Sequence, residues 1–288
     1  RLMGAQIETE GGVLSCRCPD GLHGEKITLS FPSVGATENI LIAAASADGE
    51  TVILNAAREP EIADLADFLC SCGAHISGAG SGEITVCGMK KLHSAEHTVI
   101  PDRIIASTYM AAAAVTGGDV HILDTRAEHI TPVIPVFEQA GCKVDCGENS
   151  VHISAPVRLR SVQTVRTMPY PGFPTDSQAA VMAMLSVAHG TSVVIENIFE
   201  NRYRHVRELC RLGADIMTEG KVAVIKGVDT LNGACVCAAD LRAGAALAVA
   251  GLAAQGSTTI ENVRLIDRGW QDMEETLRSL GADIRRES

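Results

Sequence analysis

The sequence predicts an α/β (α+β) fold made of copies of one module, because three features recur in order along its 288 residues. A short helix ending in Gly-Ala or Gly-Cys returns at Gly4, Gly73, Gly141, Gly213 and Gly281, in steps of 69, 68, 72 and 68 residues. A pair of short strands follows, and then an alanine-rich helix whose small apolar residues favour burial on most sides. The repeat therefore predicts modules of about 70 residues with buried helices.

Each element of the module has its own signal. The predicted hairpins are AHISGAGSGEITVCG, CKVDCGENSVHIS and ADIMTEGKVAVIKG. The buried helices are predicted to begin near Ser33, Asp102, Asp176 and Asp240. A strand led by glycine comes next (GETVILN, GDVHILD, GTSVVIEN, GSTTIEN), followed by a polar loop and a second, amphipathic helix. The glycine after that helix fits a left-handed C-cap.

The glycines at 78, 80 and 82 invite comparison with a dinucleotide-binding loop. That loop follows a strand and opens a helix, whereas this run joins two predicted strands. We therefore predict a hairpin turn.

Charge and composition exclude several classes of partner. The chain carries 24 Lys and Arg against 35 Asp and Glu, a formal charge of -11, so no general field draws it to nucleic acid or an anionic membrane. The longest weakly interrupted apolar stretch, residues 243–254, is too short to span a bilayer. We expect a soluble cytoplasmic protein whose anionic ligands are held by a local site; the oligomeric state stays open.

The ten cysteines and nine histidines show no metal-binding pattern. The close cysteine pairs are C-x-C rather than C-x-x-C, and the histidines are scattered without an H-E-x-x-H motif. We expect reduced thiols packed as small hydrophobic groups, and we predict no metal and no other cofactor.

The chain begins and ends within a module rather than at a module boundary. Arg1 falls in the tail of a second helix, and the chain stops seven residues past Gly281 in a predicted strand without a partner. We expect the chain to be the C-terminal part of a longer protein.

Two positions in the module collect polar side chains. One is the start of the buried helix, and the other is the loop before the second helix, which carries Arg58, Arg126, Arg202 and Arg268. An Asp or Ser at a helix start is often only an N-cap, and loop arginines are often solvated. Helix N-termini with arginines also bind phosphate and carboxylate, so the repeat alone leaves both interpretations open.

Seven segments then resemble the bacterial UDP-N-acetylglucosamine 1-carboxyvinyltransferase family, in order and without large gaps from Leu2 to Ile284. They are PSVGATENI from Pro32, NAAREPEI from Asn55, VIPDRI from Val99, PYPGFPTDSQA from Pro169, FENRYRHVREL from Phe199, DLRAGAAL from Asp240 and DRGW from Asp267. NAAREPEI and PGFPTD separate this family from the related shikimate-pathway enzyme.

The resemblance implies the enolpyruvyl transferase fold, with two domains of pseudo-threefold repeats and an active site in the cleft between them. Residues 1–100 would be a remnant of the first domain, and residues 101–288 would form the second. The implied reaction transfers the enolpyruvyl group of phosphoenolpyruvate to the 3-hydroxyl of UDP-N-acetylglucosamine and releases phosphate, the first committed step of peptidoglycan synthesis. A non-catalytic scaffold relative and 3-phosphoshikimate 1-carboxyvinyltransferase remain alternatives.

The resemblance also assigns roles to matching residues. Asp176 would be the base at the hydroxyl, Arg268 would bind phosphoenolpyruvate, and Arg242 beside Asp240 would support the same anion. The expected substrate-binding residues are Phe31, Pro32, Ser33, Val34, Gly35, Glu59, Glu61, Asp102, Arg103, Ile198 and Arg202. A structural ion-pair role is an open alternative for Glu59, Glu61, Asp102, Arg103 and Arg202.

Two departures from the family pattern matter. The lysine, asparagine and cysteine-bearing loop that bind phosphoenolpyruvate or donate a proton in the family would precede Arg1, so we expect this chain alone to be inactive. Phe31 and Pro32 also stand where relatives often carry a basic and a small apolar residue, so diphosphate binding would depend more on backbone N–H groups.

Overall fold

The structure is a computed structural model that describes residues 1–89 and 91–287. Its residue contacts divide the chain into two units. The first comprises Arg1–Ile100 with Pro169–Pro171, and the second comprises Pro101–Met168 with Gly172–Ser288. That these units are the two domains of the resembled family stays a prediction.

The first unit contains six strands and two helices in the part of the chain that is described. They are β1 (Gln6–Glu10), β2 (Val13–Arg17), β3 (Lys26–Thr28), α1 (Val34–Ala44), β4 (Glu50–Leu54), α2 (Pro60–Ser71), β5 (His75–Ser77) and β6 (Glu83–Cys87). Strands β1 and β2 form a hairpin. The other four form a sheet in the order β3-β4-β6-β5, in which only β3 and β4 run parallel.

The core of the first unit lies where α1 and α2 pack against that sheet. Leu41 of α1, Ile62 of α2, and Ile53 and Ile84 of the sheet are completely buried in one cluster. Alternation along β4 and β6 places these side chains on one face, as expected for a sheet covered on one side. This packing fixes the start of α1.

The second unit contains the remaining elements. They are α3 (Arg103–Thr116), β7 (Asp119–Leu123), α4 (Ala127–Ile130), α5 (Ile134–Gln139), β8 (Lys143–Cys146), β9 (Ser150–Ser154), β10 (Thr164–Arg166), α6 (Gln178–Leu185), β11 (Thr191–Ile195), α7 (Arg204–Arg211), β12 (Asp215–Glu219), β13 (Val222–Lys226), β14 (Leu231–Asn232), β15 (Cys235–Cys237), α8 (Leu241–Ala253), β16 (Ala254–Gln255), β17 (Thr259–Glu261) and α9 (Met273–Ser279), with a 3₁₀ turn at Val263–Leu265.

Helices α3, α6 and α8 pack against one another in the centre of the second unit. Every residue of α6 is buried, and most of α3 and α8 is buried as well. Small side chains allow this close approach: a Cβ on Gly244 of α8 would lie only 2.5 Å from Cγ1 of Ile266. The prediction of helices buried on most sides is confirmed for α3, α6 and α8, but it is wrong for α1, which buries only Thr37, Leu41 and Ala44.

The sheets of the second unit repeat the pattern of the first. The order β10-β11-β13-β12 reproduces β3-β4-β6-β5, including the single parallel pair. A three-stranded sheet, β7-β9-β8, and two parallel pairs, β14-β16 and β15-β17, complete the unit. The predicted module is therefore confirmed at the level of strand order.

The predicted glycine signals are confirmed too. Gly4, Gly73, Gly141, Gly213 and Gly281 all have φ between +93° and +102°, the left-handed region that glycine enters at no steric cost. The glycines at 78, 80 and 82 lie between β5 and β6, as a hairpin turn requires.

Two expectations are wrong. Residues 282–287 form no strand, although the Ala282 N–H bonds to the Leu277 carbonyl of α9 just as the Ala74 and Ala214 N–H groups bond at the helix ends that precede β5 and β12. The ten cysteines are free thiols, but five of them are exposed and only Cys72 and Cys142 are buried, so most are not small core residues. In β15, strand pleating places Cys235 and Cys237 on the face opposite the buried Val236.

Within residues 1–89 and 91–287, no helix combines the length and the apolar character needed to cross a bilayer.

Candidate active site

Three of the four buried helices begin with a capping side chain. Oγ of Ser33 accepts from the Ala36 N–H at 3.3 Å, and Oδ1 of Asp102 accepts from Ile104 at 2.7 Å and Ile105 at 3.1 Å. Oδ1 of Asp240 likewise accepts from the N–H groups of the second and third residues after it, each at 2.9 Å. These side chains satisfy backbone donors that a helix start leaves unpaired.

Asp176 departs from this pattern by one residue. The N-cap position of α6 is Ser177, whose side chain makes no capping bond. The carboxylate of Asp176 is therefore not used by its helix, and it lies half-buried in front of the helix start.

Two arginines from different elements contact Asp176. Nη2 of Arg202 donates to Oδ1 at 2.6 Å, and Nε of Arg202 donates to Oγ1 of Thr175 at 3.3 Å. Nε of Arg242, at the start of α8, pairs with the same Oδ1. The guanidinium of Arg202 also lies over the ring of Phe199, 4.7 Å from its centroid, a cation–π contact. Asp176 is thus held from two sides.

A small pocket opens at this cluster. Its lining residues are Thr175, Gln178, Ala179, Arg202, His205, Asp240, Arg242 and Ala243. Burial, together with the nearby charge of Arg242, lowers the pKa of Arg202. Arg202, Arg242 and Asp240 line this pocket and Asp176 lies beside it, so the arginines that pair with Asp176 also face the pocket, where they could bind an anion.

A second pocket, of about 260 Å³, lies on the other side of Arg202. Phe199, Tyr203 and Lys221 contribute to its lining. Ile198, a predicted binding residue, lies partly exposed beside it, and its N–H donates to Oε1 of Glu196 at 2.9 Å. Arg202 therefore separates a polar pocket from one with aromatic walls.

Arg268 lies in the turn after the 3₁₀ segment. Its side chain is exposed and pairs with no carboxylate among the described residues. The next residue, Gly269, approaches the start of α8 so closely that a Cβ there would lie 2.9 Å from Cδ1 of Leu241. The neighbouring Asp267 is already paired with Arg286 at 2.6 Å. Arg268 is thus an unpaired cation on a turn packed against α8. It does not belong to the lining of the small pocket beside Asp176.

In the first unit, the predicted anion-binding residues surround the start of α1. Phe31 is exposed, Pro32 and Val34 are half-buried, and Gly35 lies in open space where a Cβ would meet no atom within 4 Å. Ser33 caps the helix, so its hydroxyl is partly occupied by Ala36. The first-turn N–H groups and the open space at Gly35 leave room for an anion.

The acidic residues of the first unit have separate environments. Glu59 is 9% exposed, and its carboxylate accepts from the Arg58 N–H at 3.0 Å and the Tyr170 N–H at 3.2 Å. Glu61 is half-buried in the first turn of α2. Burial and the charge of Glu61 raise the pKa of Glu38 on α1. Glu59 thus acts structurally, whereas Glu61 belongs to a partly buried acidic pair.

Two predicted residues at the start of α3 are used by the fold. Asp102 is the N-cap described above, and Arg103 is 8% exposed on the buried helix. The hydrogen bonds of Asp102 fit a structural role as the N-cap of α3.

The sequence of this chain is similar to known proteins over nearly its whole length. Residues 1–277 match a family model described as EPSP synthase (3-phosphoshikimate 1-carboxyvinyltransferase). Two proteins of Caldanaerobacter subterraneus subsp. tengcongensis, named UDP-N-acetylglucosamine 1-carboxyvinyltransferase 2 and 1, are 50% and 53% identical over 284 residues, which is 99% of this chain and 68% of each relative. The chain belongs to the UDP-N-acetylglucosamine 1-carboxyvinyltransferase family. The predicted resemblance is confirmed.

A solved structure supports the fold of this UDP-N-acetylglucosamine 1-carboxyvinyltransferase family member. The enolpyruvyl transferase NikO from Streptomyces tendae superposes with a TM-score of 0.89 at 27% identity, covering 99% of this chain and 70% of that one. The predicted enolpyruvyl transferase fold is confirmed.

Sequence reasoning missed two residues that shape the site of this family member. Glu196 is 1% exposed, and its carboxylate accepts from Thr167 Oγ1 and Thr175 Oγ1, both at 2.9 Å, and from two backbone N–H groups. His205 lines the pocket, is 2% exposed, and its Nε2 has no hydrogen-bond partner among the described residues. Burial lowers the pKa of His205 to about 4. The acid in V-V-I-E, at the end of an apolar strand, was the available signal for Glu196.

Proposed function

We propose that the natural protein containing this chain transfers the enolpyruvyl group of phosphoenolpyruvate to the 3-hydroxyl of UDP-N-acetylglucosamine and releases phosphate. The observation that carries the proposal is the placement of Asp176 between Arg202 and Arg242 at a pocket, in a chain of this family. We also propose that this reaction takes place in the cytoplasm and opens peptidoglycan synthesis.

The reaction needs a group that removes the proton of the attacking hydroxyl. We assign this to Asp176, because it is the one helix-start carboxylate of the four modules that is free of capping. Both arginine contacts use Oδ1, which leaves Oδ2 to accept the hydroxyl proton. As the hydroxyl oxygen bonds to C2 of phosphoenolpyruvate, C3 takes up a proton, and phosphate then leaves C2 while C3 returns a proton.

The donor substrate carries a phosphate and a carboxylate, so it needs several cations. Arg242 is anchored through Nε to Asp176, and its terminal nitrogens keep donors for an anion. Arg268 supplies an exposed, unpaired guanidinium on the turn beside α8. Arg202 holds Asp176 and, with Arg242, offsets negative charge that develops as phosphate departs. Asp240 fixes the start of α8 and so the position of Arg242.

The sugar nucleotide carries a diphosphate, which suits the start of α1. The N–H groups at Val34 and Gly35, in the open first turn, would bind the diphosphate, with Ser33 as a side-chain donor. Phe31 and Pro32 bring no cation, so this subsite rests on backbone donors. Ile198 would contact the sugar through its main chain and its apolar side chain.

Four other predicted contact residues belong to this proposal. Glu61, half-buried in the first turn of α2, would contact a hydroxyl of the nucleotide or sugar. Glu59 and Asp102 already accept backbone hydrogen bonds, and Arg103 is buried, so for these we favour supporting roles.

Two alternatives predict different outcomes. A scaffold that had lost catalysis would have no use for an uncapped carboxylate between two arginines, a costly arrangement when it is partly buried. A shikimate enzyme is favoured by the description of the family model, but the relatives at 50% and 53% identity carry the sugar-nucleotide name.

Phosphate release by the natural protein, measured with phosphoenolpyruvate and each acceptor, tests the proposal. We expect release with UDP-N-acetylglucosamine and none with shikimate 3-phosphate. Calorimetry with UDP-N-acetylglucosamine is the second measurement, because a scaffold without a sugar-nucleotide site gives no heat of binding. Release with shikimate 3-phosphate alone would replace the proposed acceptor.

A further inference from the structure

The outward face of the sheet β7-β9-β8 carries an unexpected group of side chains. Alternation buries Val151 and Ile153 of β9 on the inner face, so their neighbour His152 points outward. His121 of β7 is the direct cross-strand partner of His152, and Asp119 lies two residues before His121 on the same face. Residues that are scattered in sequence thus meet on one surface.

The three side chains are close enough to share one ion. One ligand atom from each of Asp119, His121 and His152 lies within 4.8 Å of the others. Nε2 of His152 is 2.8 Å from Oδ1 of Asp119, and the two imidazole rings stack at 4.1 Å with 10° between their planes. Stacking of two imidazoles brings nitrogen atoms from two strands to the same carboxylate.

The other nitrogen of His152 faces a second carboxylate. Nδ1 lies 3.7 Å from Oδ2 of Asp145, which is paired across β8 and β9 with His152. Metal-binding histidines commonly donate their second ring N–H to a carboxylate, which orients the ring and raises its basicity. At 3.7 Å, Asp145 is just beyond hydrogen-bond distance of Nδ1, so a small movement would give His152 this arrangement.

We propose that Asp119, His121 and His152 bind one divalent transition-metal ion, with Zn²⁺ as the best match to two imidazoles and one carboxylate. The ion would take the place of the proton between Nε2 of His152 and Oδ1 of Asp119. With bonds of about 2.0–2.1 Å, tetrahedral ligand atoms lie about 3.3 Å apart. The 2.8 Å pair of His152 Nε2 and Asp119 Oδ1 would therefore separate slightly, whereas ligand atoms up to 4.8 Å apart would move together. Asp119 and His121 are exposed, so no packed core resists this movement.

Protons compete with the ion at this site. The hydrogen bond to Asp119 raises the pKa of His152. A metal ion binds the neutral ring and takes the place of the proton on the ligating nitrogen. The charged or titratable groups facing His152 are Asp119 and His121 on β7 and Asp145 on β8, with Lys143 on the same face of β8. The carboxylates favour both the proton and the ion, whereas Lys143 opposes both.

The test uses the full chain after alkylation of its thiols with iodoacetamide, because exposed cysteines also bind Zn²⁺. Zn²⁺ is titrated calorimetrically, and Co²⁺ serves as a spectroscopic probe of coordination. We expect one ion per chain, lost in the double variant His121→Ala with His152→Ala. Asp145→Asn should weaken binding by about tenfold or more, since it removes the carboxylate behind the ligand.

The matched control is His75→Ala, which removes an exposed strand histidine of the first unit. It should bind Zn²⁺ like the parent chain, and circular dichroism should show that every variant is folded. Zn²⁺ binding that is unchanged in the double variant, or no saturable binding by the alkylated parent chain, would overturn the proposal. None of these measurements depends on transferase activity, so they are independent of the proposed function.

Discussion

Nη2 of Arg202 and Oδ1 of Asp176 are joined by a 2.6 Å hydrogen bond that links the loop before α7 to the residue in front of the cap of α6. The ring of Phe199 supports the arginine from one side, and Arg242 reaches the aspartate from another element. The proposed base is therefore positioned by side chains of two separate segments of the second unit, the loop before α7 and the start of α8.

Asp176→Asn keeps the size of this side chain and removes its charge and its capacity to accept a proton. We expect turnover in the natural protein to fall by about 10²- to 10⁴-fold, the usual contribution of a general base. Phosphate release measures it. Asp229→Asn is the control, because Asp229 forms an exposed ion pair with Arg158. Turnover of Asp176→Asn close to that of the control would remove Asp176 as the base.

Glu196→Gln should destabilise the second unit. The buried carboxylate accepts from four donors, and an amide replaces one acceptor oxygen with a donor facing other donors. We expect a loss of about 1–3 kcal/mol in the free energy of unfolding, the usual cost of an unsatisfied buried group. Urea unfolding measures this loss. Glu200→Gln, at a neighbouring exposed glutamate, should change little; equal effects at both positions would contradict the assignment.

His205 should make the chain less stable in mild acid. Its folded pKa is about 4, and its unfolded pKa is near 6.5, so between these values the unfolded chain binds a proton that the folded chain does not. Stability contributed by the neutral ring is therefore present above pH 6.5 and is lost as the pH falls towards 4, where the loss levels off.

His205→Gln tests this pH dependence because glutamine does not titrate. We expect the unfolding free energy of the parent chain to fall more steeply between pH 7 and pH 5 than that of the variant, by an amount on the order of 1–3 kcal/mol. Urea unfolding at several pH values measures both slopes. His75→Gln, at an exposed histidine, should retain the parent slope. Identical slopes for the parent and His205→Gln would show that His205 is not buried as a neutral ring.

Gly227→Ala should unfold or strongly destabilise the second unit. A Cβ at this position would lie 1.5 Å from the Ala188 carbonyl oxygen, so the backbone itself would have to move. We expect a loss of roughly 3 kcal/mol or more, measured by thermal unfolding. Gly35→Ala is the counterpart: its Cβ meets open space in a helix, where alanine is favoured by up to about 1 kcal/mol. A Gly227→Ala chain as stable as Gly35→Ala would show that the close approach is absent.

The module was predictable because its signals are local. A glycine that ends a helix, a glycine in a hairpin and an alanine-rich helix each report the geometry of a few neighbouring residues, and all were confirmed. The final strand was not predictable from pattern alone, because residues 282–287 copy the sequence of earlier modules without forming the same hairpin. A strand needs a partner, and the pattern of one segment does not specify one.

The site was predictable only in part. The resemblance named Asp176, Arg202 and Arg242 together, and the structure brings them into contact. It also named Asp102, whose carboxylate caps a helix. Capping and substrate binding both place an acid at a helix start, so the residue type does not separate them. The group of Asp119, His121 and His152 could not be predicted from the sequence for another reason. His152 lies about 30 residues from the other two, and strand pairing between β7 and β9 brings them together.

The displaced cap of α6 has a consequence for how such a protein tolerates change. Where an acidic residue of the site also caps a helix, a substitution there changes both the stability of the fold and the activity. Where the acid stands one place ahead of the cap, as Asp176 does, its replacement leaves the helix start intact, and the structural cost comes from the two arginines that lose their carboxylate.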